Sequence, residues 1–130
     1  MINALVVEDE RDIRQLLAVD LDERGYQVQE AHNGEIGLQR VREQKPDIIF
    51  VDIMMPVMGG MDFISNLRNN PATSGIPVVI VTALKPSETK GKPRQLGVEY
   101  HLTKPWEPWA LDVVLTKVLG PSAPVASPVR

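Results

Sequence analysis

The chain has 130 residues, which suits one compact domain, and its 43% hydrophobic and 24% charged residues are ordinary values for a globular protein. A net charge of −3 argues against a general nucleic-acid surface, which usually needs a basic face. The absence of cysteine excludes disulfides and cysteine-based zinc sites, and two histidines are too few for a histidine-rich metal site. No secretory signal and no apolar run of membrane-spanning length is visible, so we expect a cytoplasmic protein.

Apolar residues in the first third of the chain alternate between strand and helix spacing. The run NALVV at 3–7 predicts a strand, and residues 11–24 carry apolar side chains at helical spacing. YQVQEA at 26–31 alternates like an edge strand, and residues 34–44 carry a weaker helical stripe that Pro46 ends. This segment therefore predicts two strand–helix units.

The middle of the chain contains two almost uniformly apolar runs. DIIFVDI at 47–53 and IPVVIVTA at 76–83 are rich in β-branched residues, as in parallel strands that are covered on both faces. Between them, Gly59 and Gly60 precede a helical pattern at 61–70.

The fourth helix of this alternation is weak in the sequence. The segment 84–97 contains two prolines, and a proline inside a helix costs roughly 3 kcal/mol. We therefore expect only a short or frayed element near 86–96.

The C-terminal part predicts one more strand–helix unit and a tail. YHLTK at 100–104 is a short strand, and a final helix starts near Pro105. Residues 1–120 form the predicted domain, and the Pro/Ser/Ala-rich residues 121–130 are predicted to be a disordered tail or the start of a linker.

Five strands that alternate with about five helices predict an α/β fold, with a doubly wound parallel sheet and helices on both faces. In such folds, sites form at the carboxyl ends of the strands, where the strand order reverses. The residues at these ends are the candidates for function: Glu8, Asp9, Asp52, Met54, Thr82 and Lys104.

Three of these candidates, Glu8, Asp9 and Asp52, are carboxylates that would repel one another unless a cation lies between them. Helix capping would be the simpler interpretation of the first acidic run alone, and Glu10 is expected to keep that role. All-oxygen ligation is what Mg²⁺ prefers. A threonine hydroxyl and a lysine ammonium are groups that a phosphoryl oxygen would need. The combination indicates a carboxylate nucleophile that attacks phosphorus with the help of a metal.

The runs VVEDE, PDIIFVDIMMPVMGG, VTA and LTKPW carry these residues in order. In this respect the sequence resembles the receiver domain of two-component response regulators, over roughly residues 2–119. The resemblance implies a flavodoxin-like (βα)5 three-layer sandwich with a five-stranded parallel sheet in the order 2-1-3-4-5. It also implies a phosphorylation-dependent signalling switch, not a turnover enzyme, with self-phosphorylation and self-dephosphorylation at Asp52 only.

The resemblance also implies roles for single residues. Asp52 would accept a phosphoryl group from a histidine kinase or a phosphotransfer protein. Asp9 would ligate Mg²⁺ (or Mn²⁺) directly, Glu8 directly or through water, and Asp52 and the Met54 backbone carbonyl would complete the protein ligands. Lys104 would bind a phosphoryl oxygen.

Further residues would surround the phosphoryl group. Thr82 would hydrogen-bond it and act as a switch together with His101, and the Lys104–Pro105 bond would be cis. The flanking positions would be Met54, Ala83, Leu84 and Pro105. The apolar Met54 and Leu84 would hinder an attacking water and prolong the aspartyl phosphate.

The sequence departs from the family pattern at four places. Glu8 stands where aspartate is commonest, and Gly59-Gly60 replaces Asp-Gly, which predicts a looser and less polar turn. His101 stands where tyrosine or phenylalanine is usual. The family's fourth helix commonly lies in the output or dimer surface, and its Pro/Gly-rich sequence here argues against dimerisation through that surface.

Expected partners are the phosphodonor and a downstream output domain or effector protein, with the chain a monomer or weak dimer that binds neither nucleic acid nor membrane. A constitutive receiver scaffold is the alternative. An aspartyl-phosphate phosphatase is disfavoured because Met54 stands where those enzymes place a second, proton-transferring aspartate. An FMN-binding module is disfavoured because three acids follow the first strand.

Overall fold

The computed structural model describes residues 1–83, 95–98 and 100–126. They contain one parallel sheet in the strand order β2-β1-β3-β4-β5, which confirms the predicted fold. The strands are β1 (Asn3–Val7), β2 (Gln27–Ala31), β3 (Ile48–Val51), β4 (Val78–Thr82) and β5 (Tyr100–Thr103). Four helices are described: α1 (Arg11–Glu23), α2 (Gly34–Glu43), α3 (Gly60–Arg68) and α4 (Pro108–Leu119). The short element predicted near 86–96 lies almost entirely outside the described residues.

The sheet separates two apolar clusters, which makes three layers. On one face, α1 and α4 pack around Phe50 and neighbouring strand residues. On the other face, α2 and α3 pack around Ile49 and Phe63. Every residue of β3 and β4 is buried because helices cover both faces of these inner strands, which explains their uniformly apolar sequences.

Helix starts differ in how they are capped. Asn33 caps α2 in the expected way, since its side chain accepts a hydrogen bond from the Ile36 amide at 2.9 Å. Glu10 occupies the N-cap position of α1, but its side chain makes no capping hydrogen bond, so the predicted capping role is wrong. Instead, the Glu10 amide donates to Glu8 Oε2 at 3.2 Å.

The last helix begins three residues later than predicted, at Pro108 instead of near Pro105. Proline suits the first turn of a helix because the amide it lacks would have no partner there. The preceding residues form a loop that joins β5 to α4.

Residues 121–126, which composition assigns to the tail, contact the domain. The Tyr26 hydroxyl donates to the Pro124 carbonyl at 2.8 Å, and the Ala126 amide donates to Asp112 Oδ1 at 3.1 Å. Ala123 is buried in the same cluster as Tyr26. Apolar contact and these two bonds hold a segment whose composition alone predicts disorder. Residues 127–130 lie outside the described part.

Among the described residues, no helix has both the length and the apolar character that crossing a membrane would require.

Candidate functional site

The strand order places the ends of β1 and β3 side by side. Val7 pairs with Val51, and the Asp52 amide donates to the Val7 carbonyl at 3.1 Å. As a result, Glu8, Asp9 and Asp52 converge, and one carboxylate oxygen from each lies within 4.8 Å of the others. Glu8 and Asp52 are buried and Asp9 is half-buried. The predicted meeting of three carboxylates is therefore present, and these oxygens could hold a metal ion.

Lys104 brings a positive charge to this cluster from the end of β5. Its backbone amide donates to the Thr82 carbonyl at 2.9 Å. Its ammonium forms a direct ion pair with Glu8 Oε1 and lies 3.2 Å from Asp52 Oδ2. The Lys104–Pro105 bond is cis, as predicted. The lysine thus bridges two of the predicted metal ligands.

Burial determines the protonation of this cluster. Removal from water raises the pKa of Glu8 to about 7; the Lys104 hydrogen bond opposes this shift, and the charge of Asp52 adds to it. For Lys104, burial lowers the pKa, but the bonds to Glu8 and Asp52 outweigh burial, and the pKa is raised. The Lys104 ammonium therefore pairs with two of the three carboxyl groups, those of Glu8 and Asp52.

The β3–α3 loop forms one wall of the site. The Met54 amide donates to Asp52 Oδ1 at 3.2 Å, while the Met54 side chain is exposed. At the tip, Val57 has a φ of 70°, and the Met58 amide donates to the Pro56 carbonyl at 2.9 Å. These features describe a γ-turn, which is rare and strained for a β-branched residue.

The two glycines of the Gly59-Gly60 turn differ in how closely the backbone approaches them. A Cβ atom on Gly60 would lie 2.2 Å from the Asp52 carbonyl oxygen, whereas the nearest described atom to one on Gly59 would be the Ile53 carbonyl oxygen at 3.5 Å. The Gly60 amide donates to the Ile53 carbonyl at 2.9 Å. Helix α3 therefore starts directly against the backbone of Asp52.

The two predicted switch residues lie on one face of the sheet. Thr82 ends β4 and is buried. His101 pairs with Ile80 on β5, so its side chain shares a face with those of Ile80 and Thr82. Burial lowers the pKa of His101, and its Nε2 atom is buried without a hydrogen-bond partner within the described ranges.

The flanking residues are only partly described. Ala83 and Pro105 are exposed beside the ends of β4 and β5, and Leu84 lies outside the described residues. His32 is exposed in the loop that precedes α2.

A second set of polar contacts, between α1 with its C-terminal end and the C-terminal part of the chain, was not predicted from the sequence. Trp106 Nε1 donates to Asp20 Oδ2 at 3.0 Å, and Arg24 Nε donates to Asp112 Oδ1 at 2.6 Å. These partners are 86 and 88 residues apart, and no local pattern pairs them.

Comparisons with known proteins find relatives that match most of this chain. A family model described as the response regulator receiver domain matches residues 4–116. The phosphate regulon transcriptional regulatory protein PhoB of Escherichia coli is 34% identical over 122 residues, which cover 94% of this chain and 53% of PhoB. Protein PilH of Pseudomonas aeruginosa is 34% identical over 120 residues, which cover 92% of this chain and 99% of PilH.

Solved structures show the same architecture. The chemotaxis protein CheY4 of Vibrio cholerae superimposes with a TM-score of 0.85 at 30% identity, covering 91% of this chain and 98% of that one. The chain spans about half the length of the PhoB proteins it matches and nearly all of PilH. The chain belongs to the response regulator receiver domain family, a family of phosphorylation-dependent signalling domains.

Proposed function

We propose that this chain is a signalling switch that accepts a phosphoryl group on Asp52. The observation that carries the proposal is the placement of this carboxylate. Asp52 is buried, Met54 donates an amide hydrogen bond to Oδ1, and the Lys104 ammonium lies 3.2 Å from Oδ2. A buried acid at a strand end, beside a positive charge and two further carboxylates, suits attack on phosphorus.

The donor set fits Mg²⁺, and Mn²⁺ would use the same ligands. Asp9, Asp52 and Glu8 supply oxygens, and the Met54 backbone carbonyl would add another. The convergence of three carboxylates on one point supports this fit, since a bound cation would relieve their mutual repulsion. When bound, the metal would neutralise charge on the phosphoryl oxygens.

The phosphoryl transfer uses the residues of the chain as follows. A carboxylate oxygen of Asp52 attacks phosphorus, and the bond between phosphorus and the donor's imidazole nitrogen breaks. The leaving imidazole keeps the electron pair of that bond. Lys104, which bridges Glu8 and Asp52, then binds a phosphoryl oxygen. In the separate dephosphorylation reaction, water attacks phosphorus and loses a proton, the bond between phosphorus and the Asp52 oxygen breaks, inorganic phosphate leaves and the carboxylate of Asp52 is restored.

The response to phosphorylation would pass through the face that Thr82 and His101 share. Thr82 would donate its hydroxyl to a phosphoryl oxygen, and His101 would move inward behind it. This is a shift between two populations of the domain, and it changes the outer surface of β4, β5 and α4. The chain would not turn over a substrate beyond its own phosphorylation and dephosphorylation.

The partners follow from this role. A histidine kinase or a phosphotransfer protein would supply the phosphoryl group. An output domain or an effector protein would bind the changed surface, with the receiver a monomer or weak dimer.

Intact-protein mass spectrometry after incubation with acetyl phosphate and Mg²⁺ tests the proposal. We expect a single phosphoryl adduct that is lost in Asp52→Asn and kept in Asp62→Asn, an exposed acid on α3 that serves as the control. Failure to form an adduct with acetyl phosphate or any histidine kinase would favour a constitutive scaffold.

A further inference from the structure

The position of the Lys104 ammonium depends on a short loop. Lys104 to Glu107 connect β5 to α4, and the Lys104 amide is anchored to the Thr82 carbonyl on one side. A lysine side chain is a long and flexible stem, so its charge is well placed only if its backbone is held. The other side of this loop must therefore also be fixed.

Trp106 provides that second anchor. Its indole packs against the apolar cluster on the α1 and α4 face of the sheet. Its Nε1, which can only donate, forms a hydrogen bond to Asp20 Oδ2 at 3.0 Å. Because this bond joins a neutral donor to a carboxylate, it is stronger than a bond between neutral groups.

Asp20 belongs to the helix that follows the acidic residues of the site. Helix α1 begins at Arg11, immediately after Glu8 to Glu10. One turn beyond Asp20, Arg24 donates to the Asp20 carbonyl at 2.7 Å and to Asp112 at 2.6 Å. A single rigid helix therefore connects the acidic loop at its start with the lysine loop near its end.

We propose that Trp106 and Asp20 are positioning residues for phosphoryl transfer, which hold the Lys104 loop against α1 and so place the lysine ammonium over Asp52. This inference rests on the proposed function of Asp52. Neither residue touches the carboxylate cluster through any bond found in the described ranges, and both act through the loop.

The initial rate of phosphorylation by acetyl phosphate in Mg²⁺ tests the inference, with the phosphorylated fraction measured by mass spectrometry. Trp106→Phe keeps an apolar ring but removes the donor, and Asp20→Ala removes the acceptor. We expect each to slow phosphorylation by about fivefold. Asp20→Asn keeps an oxygen acceptor and should restore most of the rate. The double variant should be no slower than either single variant, since both changes break one bond.

Asp112→Ala is the matched control, because it removes the bonds from Arg24 at the end of α1 and from the Ala126 amide, neither of which involves the lysine loop. It should lower the urea midpoint at least as much as Asp20→Ala and leave the rate within twofold of wild type. If Asp112→Ala slows phosphorylation as much as Asp20→Ala does, the slowing is a general effect of lower stability, and the inference is overturned. Wild-type rates in both Trp106→Phe and Asp20→Ala would overturn it while leaving the proposed function intact. If Trp106→Phe does not fold, Asp20→Ala decides alone. If the wild-type protein forms no phosphoryl adduct, both this inference and the proposed function of Asp52 are overturned.

Discussion

Replacement of Gly60 by alanine should disturb the fold at the site itself. The added Cβ atom would lie 2.2 Å from the Asp52 carbonyl oxygen and 2.7 Å from Ile53 Cα. Both neighbours are backbone atoms, so no side-chain rotation can relieve the contact. Either the start of α3 or the Asp52–Ile53 backbone has to move.

The loss of unfolding free energy can be estimated from two destabilising effects and one stabilising effect. Overpacking against fixed atoms costs about 3 kcal/mol, the upper end of the usual range, because backbone must shift. Weakening of the hydrogen bond from the Gly60 amide to the Ile53 carbonyl, at 2.9 Å, costs about 1 kcal/mol more. Alanine is a better helix former than glycine by about 1 kcal/mol. We therefore expect a net loss of about 3 kcal/mol.

Gly59 provides the control from the adjacent position. Among the described residues, the nearest atom to its added Cβ would be the Ile53 carbonyl oxygen at 3.5 Å, and its φ of −68° suits any residue, so Gly59→Ala should stay within about 1 kcal/mol of wild type. Urea unfolding followed by circular dichroism measures both variants. With a slope of about 2 kcal/mol/M, Gly60→Ala should unfold at roughly 1.5 M lower urea. Equal midpoints for the two variants would refute the close approach of α3 to Asp52.

Four other changes have defined outcomes. Because the pKa of Glu8 is about 7 in the fold and 4.5 ordinarily, the protonated form is favoured in the fold. Without Mg²⁺, up to about 3 kcal/mol of unfolding free energy should be lost as the pH rises from 4.5 through 7, and Glu8→Gln should abolish this loss in urea titrations across that range. Val57→Asn should raise stability by about 1 kcal/mol, since asparagine tolerates a φ of 70° better than valine; an unchanged melting temperature would contradict the strain. Tyr26→Phe should lower stability by about 1 kcal/mol through loss of its bond to the C-terminal segment, and equal urea midpoints would count against that contact. Met54→Glu should change the hydrolysis rate of the aspartyl phosphate, measured as loss of the adduct with time; an unchanged half-life would exclude shielding by this exposed side chain.

Sequence patterns predicted a parallel sheet and the candidate residues at its strand ends, and the resemblance to receiver domains supplied the strand order. β3 and β4 are apolar at every position because both faces are covered, and this property is visible in the letters. Since the carboxyl ends of neighbouring parallel strands meet at one edge, Glu8, Asp9 and Asp52 could be placed together from order alone. The positions of these residues at strand ends therefore indicated, before the structure was known, that they converge.

Only the tertiary structure showed how these residues contact one another. Glu8 forms an ion pair with Lys104, a contact that depends on side-chain reach across two intervening strands and not on spacing in the chain. The tight approach at Gly60 and the bond from Trp106 to Asp20 join segments that no local pattern relates. The composition of residues 121–126 predicts disorder, yet Tyr26 and Asp112 bind them, because burial and hydrogen bonding depend on what the rest of the chain places nearby. Strand periodicity and strand-end chemistry are local properties and can be read in the sequence, whereas charge pairing, close approach and segment docking are decided by distances that exist only after folding.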